Sequence, residues 1–221
     1  MRAAARRAGR DAEGLVLVAV SKSASAERIL QAVAAGVNDF GENYLQEAEP
    51  KIAAVAAAGA RPNWHFIGHV QRNKARGVAV GFDCVQSIDS PEIAAKLAAR
   101  SAAAGKALPV LLQVRLDPDP AKHGVPVEDV EAAVRQVRAL DGVRLHGMMA
   151  IPQASERPED AREAYRTLFE VWKRIAWREP AALSMGMSSD YEIAIEEGAT
   201  HIRVGTAIFG ARDATVAERA G

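Results

Sequence analysis

Two sets of residues in this sequence could do chemistry by their type and placing. The first is Lys22, which follows the unbroken apolar run Leu15–Val20 (LVLVAV) after a single serine. Burial among apolar groups disfavours the charged form of an amine, and a neutral amine is a nucleophile that condenses with an aldehyde. Taken by position alone, a rim lysine with its stem laid over apolar surface is the plainer reading. The second set lies in two short segments, Met187-Ser188-Ser189 and Val204-Gly205-Thr206, each leading into a helical pattern. Exposed backbone N–H groups at such places attract a phosphate. Gly205 lets the backbone approach, and the Ser188 and Thr206 hydroxyls add donors. The same residues also serve ordinary helix capping.

The elements that must position these residues alternate along the chain. Strands are predicted at Leu15–Val20, Val37–Gly41, Asn63–Ile67, Asp83–Ser87, Pro109–Val114, Val143–Met149, Leu183–Met185 and His201–Val204. The first is continuously apolar and β-branched, as in a strand buried on both faces. Helices are predicted between them: Ala26–Ala35, Tyr44–Ala58, Asn73–Val80, Ser90 to Gly105, Val127–Leu140, Pro158 to Arg178, and one opened by Ser189-x-x-Glu192 as a capping box. Ser90-Pro91-Glu92 is a clean start, with a cap, a proline at the first helical position and an acid at the positive end of the dipole. Strands alternating with helices argue for an α/β fold with parallel strands. Eight such units close a (β/α)8 TIM barrel, expected here as a single domain over residues 1–221. An open doubly wound sheet is the alternative, but its usual glycine-rich first turn is missing from Val20-Ser21-Lys22-Ser23.

In such barrels the chemistry lies at the C-terminal ends of the strands. That rule gathers Lys22, then Glu42 and Asn43, then Gly68, His69, Gln71, Asn73 and Lys74, then Asp89, Arg115, Met149, Ser184, Ser188, Arg203, Gly205 and Thr206. A lysine-bound aldehyde whose phosphate rests on the last two loops describes pyridoxal 5'-phosphate (PLP). Arg203 would project towards its ring. An arginine donates and stays charged, so it would oppose protonation of a ring nitrogen and weaken the ring as an electron sink.

These residues sit in segments that carry a resemblance: Leu17–Lys22 (LVAVSK), Phe40–Gln46 (FGENYLQ), Trp64–Lys74 (WHFIGHVQRNK), Gly147–Pro152 (GMMAIP), Ser184–Asp190 (SMGMSSD) and Arg203–Arg212 (RVGTAIFGAR). In these segments the chain resembles the pyridoxal-phosphate homeostasis protein family. The resemblance implies a barrel of the alanine-racemase N-terminal-domain type, with PLP held as a Schiff base on Lys22. It implies pocket contact from Asn43, ring-nitrogen contact from Arg203, and phosphate contact from Ser188, Gly205 and Thr206. It implies a role in intracellular vitamin B6 homeostasis without catalytic turnover, with PLP-dependent apoenzymes as partners, while an exposed site with no second domain leans towards a monomer. The chain departs from the family at Arg115, where asparagine is usual, and in the loop Asp117-Pro118-Asp119-Pro120-Ala121-Lys122-His123-Gly124.

Two other functions compete. A racemase would need a base on each face of the substrate carbon, and Tyr44 and Tyr191 are the tyrosines near strand ends, whereas Tyr165 falls inside a helix. An aldolase would use Lys22 on a sugar phosphate. Composition trims further classes. The 221 residues carry 28 Lys plus Arg and 28 Asp plus Glu, a net charge of zero that disfavours a general nucleic-acid binder. One cysteine permits no internal disulfide and suits a cytoplasmic setting. No apolar run approaches a membrane span. Met1 to Arg10 reads as a short, alanine-rich, solvated helix ending at Gly9. His65 is expected to be a satisfied interior histidine, Cys84 a small buried hydrophobe, and Arg72, Lys74 and Arg76 a solvated face. No His/Asp/Glu group has metal-ligand spacing, so no metal is expected.

Overall fold

The computed structural model describes residues 1–210 except 118, 120, 154, 178 and 179. The predicted helix end at Arg178, Pro118 and Pro120 of the departing loop, and Ala211 and Arg212 of the last motif lie outside the described residues.

Eight parallel strands close on themselves: β1 (Val16–Val20), β2 (Asp39–Glu42), β3 (Asn63–Phe66), β4 (Cys84–Ile88), β5 (Leu108–Arg115), β7 (Val143–Met149), β8 (Ala182–Ser184) and β9 (His201–Val204). Closure is direct, because Val18 of β1 pairs with Asp39 of β2 on one side and Arg203 of β9 on the other. The pairing shifts register between Val85 and Ile88 on β4 and between Val110 and Leu111 on β5. A two-residue strand, β6 (Val125–Pro126), pairs with the end of β5 and stands outside the closed ring. The predicted strands Val143–Met149 and His201–Val204 match β7 and β9 residue for residue, and the other strands agree within two residues at either end.

The helices form where caps and apolar spacing ask for them. In α2 (Ala26–Ala34) the Ser25 side chain accepts from the Arg28 N–H. In α5 (Pro91–Ala103) Ser90 accepts from Ile93 N–H and Pro91 takes the first turn, as the sequence predicts. Helix α7 (Arg162–Arg174) buries Tyr165, Leu168 and Val171 at a helical spacing. Burying each such apolar side chain contributes about 1.5–3 kcal/mol. The remaining helices are α1 (Arg2–Arg7), α3 (Leu45–Ala57), α4 (Ala75–Gly81), α6 (Val130–Arg138), α8 (Tyr191–Glu196) and α9 (Thr206–Phe209). Among the described residues no helix is long and apolar enough to cross a membrane.

Three expectations need correction. Helix α1 is not merely solvated: Ala4 and Ala5 are fully buried, and Arg7 pairs with Glu192 and Glu196 of α8 at 2.6 and 2.9 Å. The small Ala side chains let α1 lie close on its neighbour. Helix α8 starts at Tyr191 after Asp190, not after a Ser189 capping box. Asp190 Oδ1 instead accepts from the Met187 N–H at 2.6 Å and folds the preceding turn onto itself. The helical stretches predicted from Val127 and Pro158 each begin as a tight 3-10 turn before α6 and α7.

The barrel interior is not purely apolar. Gln86 on β4, His65 on β3, Ser184 on β8 and Arg203 on β9 are all buried there, and they are hydrogen-bonded to one another. That chain ends at Asp39, the first residue of β2.

Candidate functional site

A cleft of about 670 Å³ opens at the C-terminal ends of the strands. Lys22, Asn43, Ser188, Arg203, Gly205 and Thr206 all line it, together with the apolar side chains of Val20, Ile67, Ile151, Met187 and Phe209. Residues drawn from loops after β1, β2, β8 and β9 are therefore brought together as the sequence predicts.

Lys22 is half-buried, and both its neighbours are fixed. Ser21 is fully buried, and its hydroxyl donates to Glu42 Oε1 at 2.7 Å. Its carbonyl accepts from Lys51 Nζ at 2.9 Å. On the other side Ser23 takes a left-handed conformation, φ 65°, and its N–H donates to Glu47 Oε1. A non-glycine residue pays strain there. Lys51 gathers the whole node, because it also donates to Glu42 Oε1 at 2.9 Å and Glu47 Oε1 at 2.8 Å. Burial pushes the Glu42 carboxyl up from its ordinary value, against the pull of Lys51 and Ser21. The sequence makes Glu42 a rim candidate; in the structure it is fully buried and fixes Ser21, the residue before Lys22, together with Lys51.

Arg203 is 4% exposed. Its Nη1 donates to Ser184 Oγ at 2.7 Å and its Nη2 to the Ala150 carbonyl at 2.9 Å. Desolvation lowers its pKa to about 10, with Tyr165 and Asp190 pulling the other way. The guanidinium thus stays charged at neutral pH, and two of its donors are already directed away from the cleft.

The loops after β8 and β9 supply a backbone cradle. The Gly205 N–H donates to Ser188 Oγ at 3.2 Å, which joins the two predicted phosphate loops. A Cβ at Gly205 would sit 3.2 Å from the Val20 carbonyl and 3.3 Å from Val20 Cβ, so a larger residue would crowd β1. Arg28 Nη2 donates to the Phe209 carbonyl and pins the short α9.

Asn43 has a buried side-chain oxygen, Oδ1, without a hydrogen-bond partner in the protein. An orphaned acceptor on a cleft wall fits a group that enters the cleft. The Asn43 backbone is pressed against the β3 loop: a Cβ at Gly68 would fall 2.0 Å from the Asn43 carbonyl oxygen. A second groove begins at Asn43 and runs past Tyr44, Gly68, His69, Gln71 and Lys74. Tyr44 is 63% exposed along it.

Other rim candidates part company with the cleft. Met149 is fully buried in a small cluster with Cys84, Leu111 and Ala182. Ser184 belongs to the interior chain beneath Arg203. Asp89 and His69 meet at the far rim, at 3.0 Å. Residues expected to be structural are so: Cys84 is buried and its thiol pushed up to about 12 by burial, and His65 bonds Gln86 at 2.9 Å and Asp39 at 3.1 Å. Arg72 and Arg76 are exposed. Sequence reasoning missed Lys51 and Glu47. Their spacing on α3 reads as a solvent-facing ion pair, and only the buried carboxylate of Glu42 nearby could have signalled otherwise. It also missed His123, which reaches Asp89 from the loop after β5.

The comparisons with known proteins agree with this geometry. The model of the alanine racemase N-terminal domain matches residues 1–213. A pyridoxal phosphate homeostasis protein of Pseudomonas aeruginosa is 44% identical over 213 residues, covering 96% of this chain and 91% of its own. The structure of PipY from Synechococcus elongatus with PLP bound superposes with a TM-score of 0.81 at 36% identity, covering 95% of this chain and 98% of its own. Alanine racemase of Corynebacterium glutamicum shares the fold alone, with a TM-score of 0.67 at 16% identity over 95% of this chain and 59% of its own.

Proposed function

This chain belongs to the family of the alanine racemase N-terminal domain, in the branch of the pyridoxal phosphate homeostasis proteins, and on that premise we propose that it holds PLP on Lys22 and serves PLP homeostasis without catalytic turnover. One observation carries the proposal. A half-buried lysine, a buried charged arginine and a Ser188–Gly205–Thr206 cradle line one cleft beside an unpartnered Asn43 Oδ1. Bound there, PLP would supply an aldehyde for the amine and a ring able to withdraw electrons.

The chain's own residues divide the work. Lys22 would hold the group covalently, its amine being the nucleophile of the cleft. Ser188, Thr206 and the closely packed backbone at Gly205, whose N–H already donates to Ser188 Oγ, would receive the phosphate. Asn43 would meet the group with the side-chain oxygen that the protein leaves unpartnered. Arg203, which only donates and stays charged, would oppose protonation of the ring and so limit the carbanion stabilisation the group could supply. Racemisation also needs a base on each face of the carbon. Among the described residues lining the cleft, Lys22 is the one side chain that could serve as a base, since the others are apolar, hydroxyl, amide or guanidinium groups. Helix-borne Tyr165 is buried in the core, and Tyr44 points along the neighbouring groove. Both facts favour a carrier over the low-activity racemase.

The test is a visible absorption spectrum before and after borohydride, with peptide mapping of the reduced protein. A yellow band lost on reduction, with the pyridoxyl group on Lys22, supports the proposal. A protein that stays colourless in excess PLP sinks it. Alanine turnover at ordinary enzyme rates would overturn the non-catalytic part.

A further inference from the structure

Across the mouth from the cradle, three side chains from three different loops converge. His69 follows β3, Asp89 follows β4, and His123 lies in the loop between β5 and β6. His69 Nδ1 is 3.0 Å from Asp89 Oδ2, and His123 Nδ1 is 3.6 Å from the same oxygen. The imidazoles stack face to face, with centroids 3.8 Å apart and planes at 14°. One ligand atom from each residue lies within 4.8 Å of the others. We propose that His69, Asp89 and His123 bind one divalent transition-metal ion of the zinc, cobalt or nickel class.

The spacing suits such an ion. Ligands at about 2.0–2.1 Å from a common centre stand roughly 2.8–3.4 Å apart in octahedral or tetrahedral arrangement. The 3.0 Å separation falls in that range and the 3.6 Å one just outside it, and the two exposed rings must unstack and swing apart for their nitrogens to converge on one ion. Two imidazole nitrogens and one carboxylate select a borderline transition metal over calcium or magnesium, which prefer all-oxygen sites. Three protein ligands leave a position for water.

The backbone carrying the ligands is held from below. Buried Ser87 donates to the Gly68 carbonyl, one residue before His69. Gln113 Nε2 donates to the His123 carbonyl at 3.0 Å. Ser90 Oγ donates to Asp89 Oδ1 at 3.2 Å and leaves Oδ2 facing the two rings. Such outer partners fix ligand orientation. Asp89 is largely shielded, with 12% of its side chain exposed, whereas His69 and His123 are 41% and 56% exposed, so a hydrated ion has open access. The ion would tie the ends of β3, β4 and β5 together. Through the tight Gly68–Asn43 contact it would also stiffen one wall of the cleft.

The site stands apart from the PLP proposal, and its test reads metal directly. The untagged full-length chain is titrated with Co2+ by visible absorption and with Zn2+ by calorimetry. One equivalent is expected to bind, with a ligand-field spectrum of nitrogen and oxygen coordination. His69→Ala, His123→Ala and Asp89→Asn are each expected to weaken binding roughly tenfold or more. All three sit at the rim, and an unchanged circular dichroism spectrum shows that they fold. Lys22→Ala is expected to bind metal as the parent chain does. Absence of a stoichiometric site, affinity unchanged by the three rim substitutions, or loss of the site in Lys22→Ala would each overturn the proposal.

Discussion

Ser184 Oγ stands between Arg203 and Gln86, accepting from Arg203 Nη1 at 2.7 Å and donating to Gln86 Oε1 at 2.7 Å. Every later link is then determined. Gln86 has its amide nitrogen left for His65 Nδ1, so the His65 proton must be on Nε2, where it is donated to Asp39 Oδ1. Four residues from four other strands thus orient one guanidinium.

Removing the middle of that chain should be costly. Ser184→Ala leaves a buried arginine N–H and a buried amide oxygen without partners, at about 1–3 kcal/mol for the lost pairing. Urea unfolding should show that loss of stability. PLP affinity should fall with it, because Arg203 is no longer held in one orientation.

Lys51→Met should damage the Lys22 loop without touching the cleft. Buried Glu42 and the Ser21 carbonyl would lose their cation, and breaking such a pair costs about 3–5 kcal/mol. Denaturation measures the stability. Borohydride trapping of PLP on Lys22 should become slower and less complete, whereas a purely global effect would leave the trapping rate of the folded fraction unchanged.

Gly68→Ala tests the close approach of two loops. The new Cβ would fall 2.0 Å from the Asn43 carbonyl oxygen, so backbone must move. A loss of about 3 kcal/mol is expected, at the upper end for overpacking. The thermal midpoint should drop and PLP binding weaken. A Gly81→Ala control, where a Cβ meets nothing within 4 Å, should do neither.

His201 predicts a pH dependence. Desolvation first, and then the nearby His65 and His146, lower its pKa from 6.5 to about 4. Its Nδ1 meets the Thr200 hydroxyl at 2.9 Å, which suits the neutral ring. The unfolded chain therefore binds more protons than the folded one between those two values. Stability from this group is full above pH 6.5, declines as the pH falls, and is gone by about pH 4. The full difference is about 3 kcal/mol. Urea midpoints of the parent chain and His201→Gln, compared across that window, should differ in slope.

The six cleft residues were legible because each sits at or just past a strand's C-terminal end, and the barrel rule converts that position into a place at the mouth. Of the two strands that frame them, Val16–Val20 announces itself by its apolar, β-branched run, and His201–Val204 only by Ile202 and Val204 between its polar residues. The interior chain was not legible. Its members lie up to 98 residues apart between neighbours, as Ser184 and Gln86 do, and only barrel closure and register bring them into contact. Ser189 misled because a capping box is a local pattern, whereas Asp190 was recruited by the turn at Met187. His69, Asp89 and His123 escaped for the same reason as the interior chain: ligand spacing is a property of one segment, and these come from three.

The hydrogen-bond chain from Arg203 to Asp39 runs in one direction throughout. It places a fixed positive charge under the mouth and a carboxylate at the opposite end of the barrel. The hydrogen-bonded chain is therefore polarised along the barrel axis, with its positive end beside the cleft.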